Sequence, residues 1–512
     1  MADVHPVKPA GSDLPTHVQP PAASPPPHQL RYISWLRRHV KWVPWRTRIK
    51  NYSWQWHGLV TATAVVSSVM HIFPYHNSAN ALKVLACILL IIALIAFVFN
   101  VAAKIAKVIM YPKDALTHIT DPAKSSFAGF LAVGGAGLID AAVNVIRDWH
   151  PGAKNRFLFA MYGLWYLDAA VAWFTAFGVI YFIIGQKTKD MGKIMAIWII
   201  PCVSMIASST CGGLLAGTLY PEFPRLALIT TTFAITMGLM GLCFTTMITF
   251  GFLMRLFLHG APDGLIALAT WNILTPLGQG GFSLLINGQN LSLLVPYMSG
   301  SDFPEIAIAG KLLFSVCFCG AYLCWCMGFC WIMLSLFVLI RRARKLPNFG
   351  LAWWGAVFPN GTYALLTVQL GNVLKSRFYH GFGAAWSIIV MLLWTALMLR
   401  TIPAFVTGTM FLPHKYYLDH RRTKRHHRHH RDAEKGALHE HTHVSQPEPA
   451  HAPREHSPER DDRSTLVARG SAMRLTHSSS SQVGKSASPH DSGRATPVDG
   501  LAHAVEISGP VA

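Results

Sequence analysis

Long apolar blocks separated by short polar connections fill the chain between about residues 52 and 411. Each block has about 20 or more residues with few charges, enough to cross a hydrocarbon layer about 30 Å thick. Backbone groups that face lipid must be paired within their own segment, so the blocks are expected to be helices. The pattern predicts an all-α membrane protein with ten transmembrane helices, near residues 54–73, 81–103, 125–147, 158–184, 194–217, 226–254, 266–288, 312–340, 350–371 and 382–408.

Odd-numbered and even-numbered helices differ in composition. The odd ones are rich in Gly, Pro, Ser and Thr, whereas helices two, eight and ten are dominated by Leu, Ile, Val, Phe and Trp. Small residues permit close helix approach, and the backbone groups freed at Gly or Pro kinks can be satisfied in an aqueous cavity. The alternation predicts five helical hairpins around a central pore, with the odd helices inside. The alternative is that the small residues serve helix packing only.

The interior of the odd helices contains no Lys or Arg. A permeating anion would therefore meet hydroxyl groups, amides and backbone dipoles instead of a fixed cation, and such weak binding suits rapid passage. The sequence offers these pore-lining candidates: Thr61, Thr63, Gly134, Ser208, Ser209, Thr210, Gly278, Gln279, Pro359 and Asn360.

Two carboxyl side chains, Asp140 and Asp168, fall inside the third and fourth helices. A carboxylate within a membrane is costly and usually has a partner or a function. Two explanations stay open at this point: proton coupling, or a structural hydrogen bond between helices.

Composition agrees with a membrane protein, since 52% of the 512 residues are hydrophobic and only 13% are charged. The formal net charge of +20 lies mainly at the chain ends and in alternate loops, which predicts cytoplasmic termini and not nucleic-acid binding. We expect a Pro-rich, basic extension over residues 1–50, a membrane domain over 51–411, and a disordered basic, His- and Ser-rich tail over 412–512. A glycosylation sequon, Asn290-Leu291-Ser292, is expected in an external loop.

Other classes of function receive little support. No Gly-x-x-x-x-Gly-Lys-Ser/Thr phosphate loop is present in the sequence, so direct ATP-driven pumping is not indicated. The His clusters at residues 426–430 and 439–443 are similar to di-iron oxygenase boxes, but both lie in one low-complexity tail among Arg and Lys. All nine cysteines lie in apolar blocks. We therefore expect no enzyme activity, no cofactor and no metal site.

Two motifs give a resemblance to a known family. Residues 352–359 read Ala-Trp-Trp-Gly-Ala-Val-Phe-Pro, and residues 276–281 read Pro-Leu-Gly-Gln-Gly-Gly. Together they resemble the tellurite-resistance and dicarboxylate transporter family, a voltage-dependent or slow anion channel superfamily, over about residues 52–411. The resemblance implies five hairpins around a pore, assembly as a homotrimer, and Phe358 as the pore gate.

Within this family the chain looks most similar to fungal sulfite efflux pumps, on residues 163–168 (Gly-Leu-Trp-Tyr-Leu-Asp), 197–201 (Ile-Trp-Ile-Ile-Pro) and 366–371 (Leu-Thr-Val-Gln-Leu-Gly). The expected function is export of a small anion, sulfite, across the plasma membrane, with malate or another dicarboxylate as the alternative. Two features depart from the pattern: the first helix reads Ala62-Thr63-Ala64 instead of Gly-Thr-Gly, and His57 replaces an aromatic residue. The sequence leaves open whether passage is passive or coupled to an ion gradient.

Overall fold

The computed structural model describes residues 43–75, 79–149, 154–185, 192, 194–262, 264–298, 306–345 and 349–412. The predicted extension up to residue 42 and the predicted tail from residue 413 lie outside the described residues. Those described contain helices and no strand, which confirms the all-α prediction for this part of the chain. Its ten helices of at least 15 residues are α1 (His57–His71), α2 (Asn80–Met110), α3 (Gly129–Trp149), α4 (Lys154–Ile184), α5 (Ile200–Leu219), α6 (Pro224–His259), α7 (Leu274–Met298), α8 (Ile306–Arg342), α9 (Val357–Leu374) and α10 (Arg377–Thr407).

Seven helical segments in the described residues are long and apolar enough to cross a membrane, so the chain is a multi-pass membrane protein. They comprise all five even-numbered helices together with α3 and α5. The other three, α1, α7 and α9, are helices at the predicted places but are shorter or more polar. Protein surrounds α1 and α9 closely. Every residue of α1 except Ser68 and His71 is buried, and so are residues 357–368 of α9. A helix shielded from lipid in this way does not need an apolar surface on all sides.

The odd-numbered helices contact one another in a closed cycle: α1 packs against α3, α3 against α5, α5 against α7, α7 against α9, and α9 against α1. Each also packs against the even-numbered helix that follows it in the chain. Burial agrees with these contacts. The most apolar 18-residue stretch of a helix, here called its apolar window, is 94% buried in α5 but only 22% buried in α2. The odd helices thus form an inner ring, and the even helices lie outside it.

Tryptophan side chains attach the outer helices to the ring. The indole nitrogen Nε1 of Trp165 on α4 donates to the Ser208 carbonyl at 2.8 Å, and Nε1 of Trp394 on α10 donates to Thr63 Oγ1 at 3.0 Å. On α8, Trp331 Nε1 donates to the Thr270 carbonyl at 3.0 Å. An indole ring buries a large apolar area and still places one polar N–H, so these contacts orient the outer helices as well as pack them.

A short 3-10 turn precedes every inner helix, which corrects several predicted boundaries. The turns span Trp54–Trp56, Ser126–Ala128, Ala196–Ile199, Thr270–Ile273 and Leu351–Ala356. The paired tryptophans of the family motif therefore lie on a turn and not within the ninth helix as predicted. Pro359 is the third residue of α9, where the missing amide hydrogen is tolerated.

The seventh helix also ends later than predicted. It continues to Met298, so Asn290 lies inside α7 instead of in an external loop. The side chain of Asn290 is buried and its Nδ2 donates to the Gly213 carbonyl on α5 at 2.7 Å. The prediction that the sequon lies in an external loop was wrong, because the Asn290 amide pairs with the backbone of a neighbouring inner helix.

Candidate functional site

A vestibule of about 460 Å³ opens at the end of the bundle where the inner helices begin. Each of the five inner helices contributes a residue from just before its start or from its first turn. The last described residues of the chain also reach this space. Its lining consists of Gln55, Gly58, Asp121, Ala123, Lys124, Phe127, Phe130, Met195, Ile197, Ala269, Asn272, Phe349, Gly350, Leu351, Ala352, Gly355, Thr409, Met410 and Leu412.

The amino-terminal ends of all five inner helices are thus directed toward the same space. The start of an α-helix carries unpaired amide hydrogens and a partial positive charge of about half an elementary charge. Five such ends around one vestibule make it electrostatically favourable for an anion.

One ion pair lies at the vestibule. Lys124 Nζ is 2.9 Å from Asp121 Oδ2, and both side chains are partly exposed. Partial burial by itself would raise the pKa of Asp121, but the Lys124 ammonium and the amides of Ala123 and Lys124 hold it below its usual range. Because the pair is solvated, its contribution to stability is small. The carboxylate of Asp121 also reduces the attraction of Lys124 for other anions.

A second, smaller cavity of about 70 Å³ lies further along the same five helices. Its lining comes from α1 (Val65, Ser68, Ile72), α3 (Val133, Ala136, Gly137, Asp140, Asn144), α5 (Ala207, Thr210, Leu214), α7 (Gln279, Phe282) and α9 (Phe358, Leu365). None of these is a lysine, arginine or histidine. All five inner helices therefore contribute to both spaces, which follow each other along the ring axis.

Phe358 marks the change from one space to the other on α9. Gly355, one turn earlier, lines the vestibule, whereas Phe358 is the first residue of this helix to line the inner cavity. Its ring is only 6% exposed and belongs to the main apolar core.

Of the pore-lining candidates, Thr210 and Gln279 lie on the inner cavity, together with the predicted gate residue Phe358 and the carboxyl group of Asp140. Gln279 Nε2 donates to Thr210 Oγ1 at 2.9 Å, and this hydroxyl donates to the Ile206 carbonyl at 3.1 Å. On one face of the cavity, a hydrogen bond between an amide and a hydroxyl group therefore joins α5 to α7.

The other candidates are not among the residues that line this cavity. The hydroxyls of Thr61 and Thr63 donate to backbone carbonyls of their own helix, and the hydroxyl of Ser209 pairs with that of Ser283 at 2.8 Å. Gly134 and Gly278 lie at contacts between inner helices, where a side chain would meet Val60 and Tyr363. Ser208 lies beside Asp168, the second buried carboxyl group. Asn360 Nδ2 donates to the Ala356 carbonyl of the preceding turn, and Pro359 lies next to it in the chain.

Several lining residues were not among the candidates. Asn144 follows Asp140 by four residues and so shares its helix face, a spacing that could have identified it. Ser68 occurs in the hydroxyl-rich stretch of α1. Gln55 and Asn272 lie in the turns before α1 and α7, and no helical periodicity indicates where those side chains project.

The two departures from the family pattern occupy packing positions. Ala64 is in close contact with Gly137 on α3, and neither Ala62 nor Ala64 lines the inner cavity. His57 is fully buried, and its ring lies at 5.9 Å from that of Phe97 in an edge-on arrangement. It therefore packs as an aromatic residue in this structure.

Comparisons with known proteins identify the family of this chain. The profile of the voltage-dependent anion channel family (SLAC1) matches residues 51–402. The sulfite efflux pump SSU1 of Trichophyton rubrum is 25% identical over 376 residues, covering 73% of this chain and 95% of the relative. The malic acid transport protein of Schizosaccharomyces pombe is 21% identical over 392 residues, covering 75% and 86%. This chain belongs to the voltage-dependent anion channel (SLAC1) family of anion transporters.

Proposed function

We propose that this protein exports sulfite through the inner ring, with Phe358 closing the path between the vestibule and the inner cavity. The observation that carries the proposal is that the same five helices line both spaces, with Phe358 where one space ends and the other begins. In this proposal all ten long helices cross the membrane as five hairpins.

The gate assignment rests on the chemistry of an aromatic ring in a narrow path. An ion passing Phe358 must lose part of its hydration shell next to an apolar group, which is unfavourable. Rotation of the side chain would open the path without moving the helix. The partly polar lining beyond it, with the Thr210 hydroxyl and the Gln279 amide, offers hydrogen bonds to an ion that has passed.

Sulfite is favoured by the names of several relatives and by the cavity. The related proteins of Trichophyton rubrum and Saccharomyces cerevisiae are both sulfite efflux pumps, at 25% and 22% identity. The inner cavity is small and contains no arginine, the residue best suited to hold a carboxylate through two parallel hydrogen bonds. These features suit a compact inorganic oxyanion better than a dicarboxylate.

Malate is the second candidate, because a malic acid transport protein matches a similar share of the chain. One experiment separates the two. Yeast that lacks its own sulfite and malate transporters would express this protein, and both sulfite tolerance and uptake of radiolabelled malate would be measured. Restored sulfite tolerance without malate uptake is expected. Malate uptake without sulfite tolerance would overturn the sulfite proposal and leave the pathway itself intact.

The proposal also includes assembly as a homotrimer, location in the plasma membrane and cytoplasmic termini. They rest on the family resemblance and on the distribution of Lys and Arg. Protease protection of a tag at the carboxyl terminus tests the orientation, since an external tag contradicts it.

A further inference from the structure

Asp140 on α3 and Asp168 on α4 are equally buried, each 8% exposed, but their surroundings differ. Asp140 lines the inner cavity, opposite Phe358 and Gln279 in the same ring. Asp168 does not. One of its carboxylate oxygens lies against Gly135 of α3, and the Ser208 side chain of α5 lies beside it. Asp168 is therefore placed at the junction of three helices, whereas Asp140 is placed on the path.

The carboxyl group of Asp140 has little to stabilise a negative charge. From α5 it meets the Cys211 thiol, from α4 it faces a second carboxyl group, Asp168, and from α1 the nearest polar residue of the cavity is Ser68. Its Oδ1 atom is buried and has no hydrogen-bond partner among the described residues. No basic side chain lines the cavity.

An ionised Asp140 would thus be a buried charge without a counterion, which is costly, and it would repel an anion entering the cavity. A protonated carboxyl group has neither problem. It is uncharged, and it offers an O–H donor to the cavity, where an anion is an acceptor. Hydrogen bonds with one charged partner are about twice as strong as neutral ones.

We propose that Asp140 acts in its protonated form as a hydrogen-bond donor to the passing anion, while Asp168 holds α3, α4 and α5 together. This proposal rests on the proposed anion path through the ring. It assigns the ligand class as small anions with an oxygen that can accept a hydrogen bond from a protonated carboxyl group. It also makes passage sensitive to pH, since ionisation of Asp140 blocks the cavity.

The test uses the full chain in liposomes with nitrate as the probe. Nitrate stays a single-charged ion from about pH 5 to about pH 8, so any change in flux over this range reports on the protein. Once a carboxylic acid has largely ionised, each further pH unit lowers its protonated fraction about tenfold. Wild-type flux is therefore expected to fall with rising pH, and the Asp140→Asn variant, which cannot ionise, is expected to show a flat profile.

Two matched variants serve as controls. Glu222→Gln removes an exposed carboxylate and should keep the wild-type pH profile. Asp168→Asn should keep the fall in flux with rising pH, with its midpoint displaced because Asp168 faces Asp140, and should lower the melting temperature of the purified protein. If Asp140→Asn does not yield folded protein, Asp140→Ser offers a second uncharged side chain.

Three outcomes overturn the proposal: a flat wild-type profile, a wild-type slope that persists in folded Asp140 variants, or a slope that disappears in Asp168→Asn as well. Failure of the sulfite assignment gives a different result. Wild-type protein would then fail to carry sulfite yet still carry nitrate with a slope that depends on Asp140.

Discussion

The inner helix α5 and the outer helix α2 are both regular α-helices, but they have different surroundings. The apolar window of α5 is 94% buried within the protein, whereas that of α2 is 22% buried. The sequence of α5 contains Pro201 and several serines and glycines, and that of α2 has no Gly, Pro, Ser or Thr from Asn80 to Met110. A helix surrounded by lipid must be apolar on its surface, but a helix surrounded by other helices can carry hydroxyls whose partners are close by.

An inner helix can therefore be less apolar than an outer helix and still belong to the ring, so low hydropathy does not exclude a helix from the pathway. The three long helices that fall outside the apolar segments, α1, α7 and α9, all belong to the inner ring. Matched substitutions on inner and outer helices therefore test the comparison directly, and the following three are ordered by the size of the expected effect.

The largest effect is expected from a single methyl group at an inner-helix contact. A Cβ atom at Gly278 would lie 2.6 Å from the backbone nitrogen of Tyr363 on α9, so Gly278→Ala forces the two helices apart. We expect a loss of about 3 kcal/mol of stability, the upper end of the usual cost of overpacking. In the outer helix α4, Gly178 has nothing within 4 Å, and Gly178→Ala should be neutral or stabilise the helix by about 0.5–1 kcal/mol.

The thermal stability of both variants is measured by size-exclusion chromatography of fluorescently tagged protein after heating. Equal thermal stability of Gly278→Ala and Gly178→Ala would show that the inner helices are not in the close contact described here.

An intermediate effect is expected at the proposed gate. Phe358→Ala removes the ring between the two spaces, and anion flux should rise about tenfold, which corresponds to a barrier lowered by about 1.4 kcal/mol. The matched control is Phe174→Ala on α4, where the ring is 82% exposed at the outer surface.

Flux into liposomes is compared at equal amounts of folded protein, because loss of a buried ring also lowers stability. Unchanged flux in Phe358→Ala would contradict the gate assignment, and so would an equal rise in Phe174→Ala.

The smallest of the three effects is expected at Thr210. Thr210→Val keeps the shape of the side chain but leaves the Gln279 amide without its acceptor, at a cost of about 1 kcal/mol. Anion flux should fall about fivefold. Thr232 on α6 makes the same type of hydrogen bond to its own helix backbone, at 2.9 Å, on the exposed outer surface.

Thr232→Val should therefore leave both flux and stability close to wild type. Equal flux in the two threonine variants would contradict a contribution of the Thr210 hydroxyl to the pathway.

The sequence predicts which helices are inner helices better than it predicts which of their residues face the cavity. The composition of α5 indicated an inner helix, yet of its neighbouring candidates Ser208, Ser209 and Thr210 only Thr210 lines the cavity. Successive residues on a helix are about 100° apart, so three in a row cannot all face one space. The choice among them depends on the rotation of α5, which is set by contacts such as the bond from Trp165 to the Ser208 carbonyl.

The helical class, the membrane location and the alternation of inner and outer helices could be predicted from the sequence, because they depend on local apolar length and on residue size. The tertiary structure alone decided that Asp140 lies on the cavity while Asp168 lies at a helix junction. It also decided that the helix starts converge on one vestibule. Such features depend on the rotation and offset of helices relative to one another, and these are fixed by contacts between residues far apart in the chain.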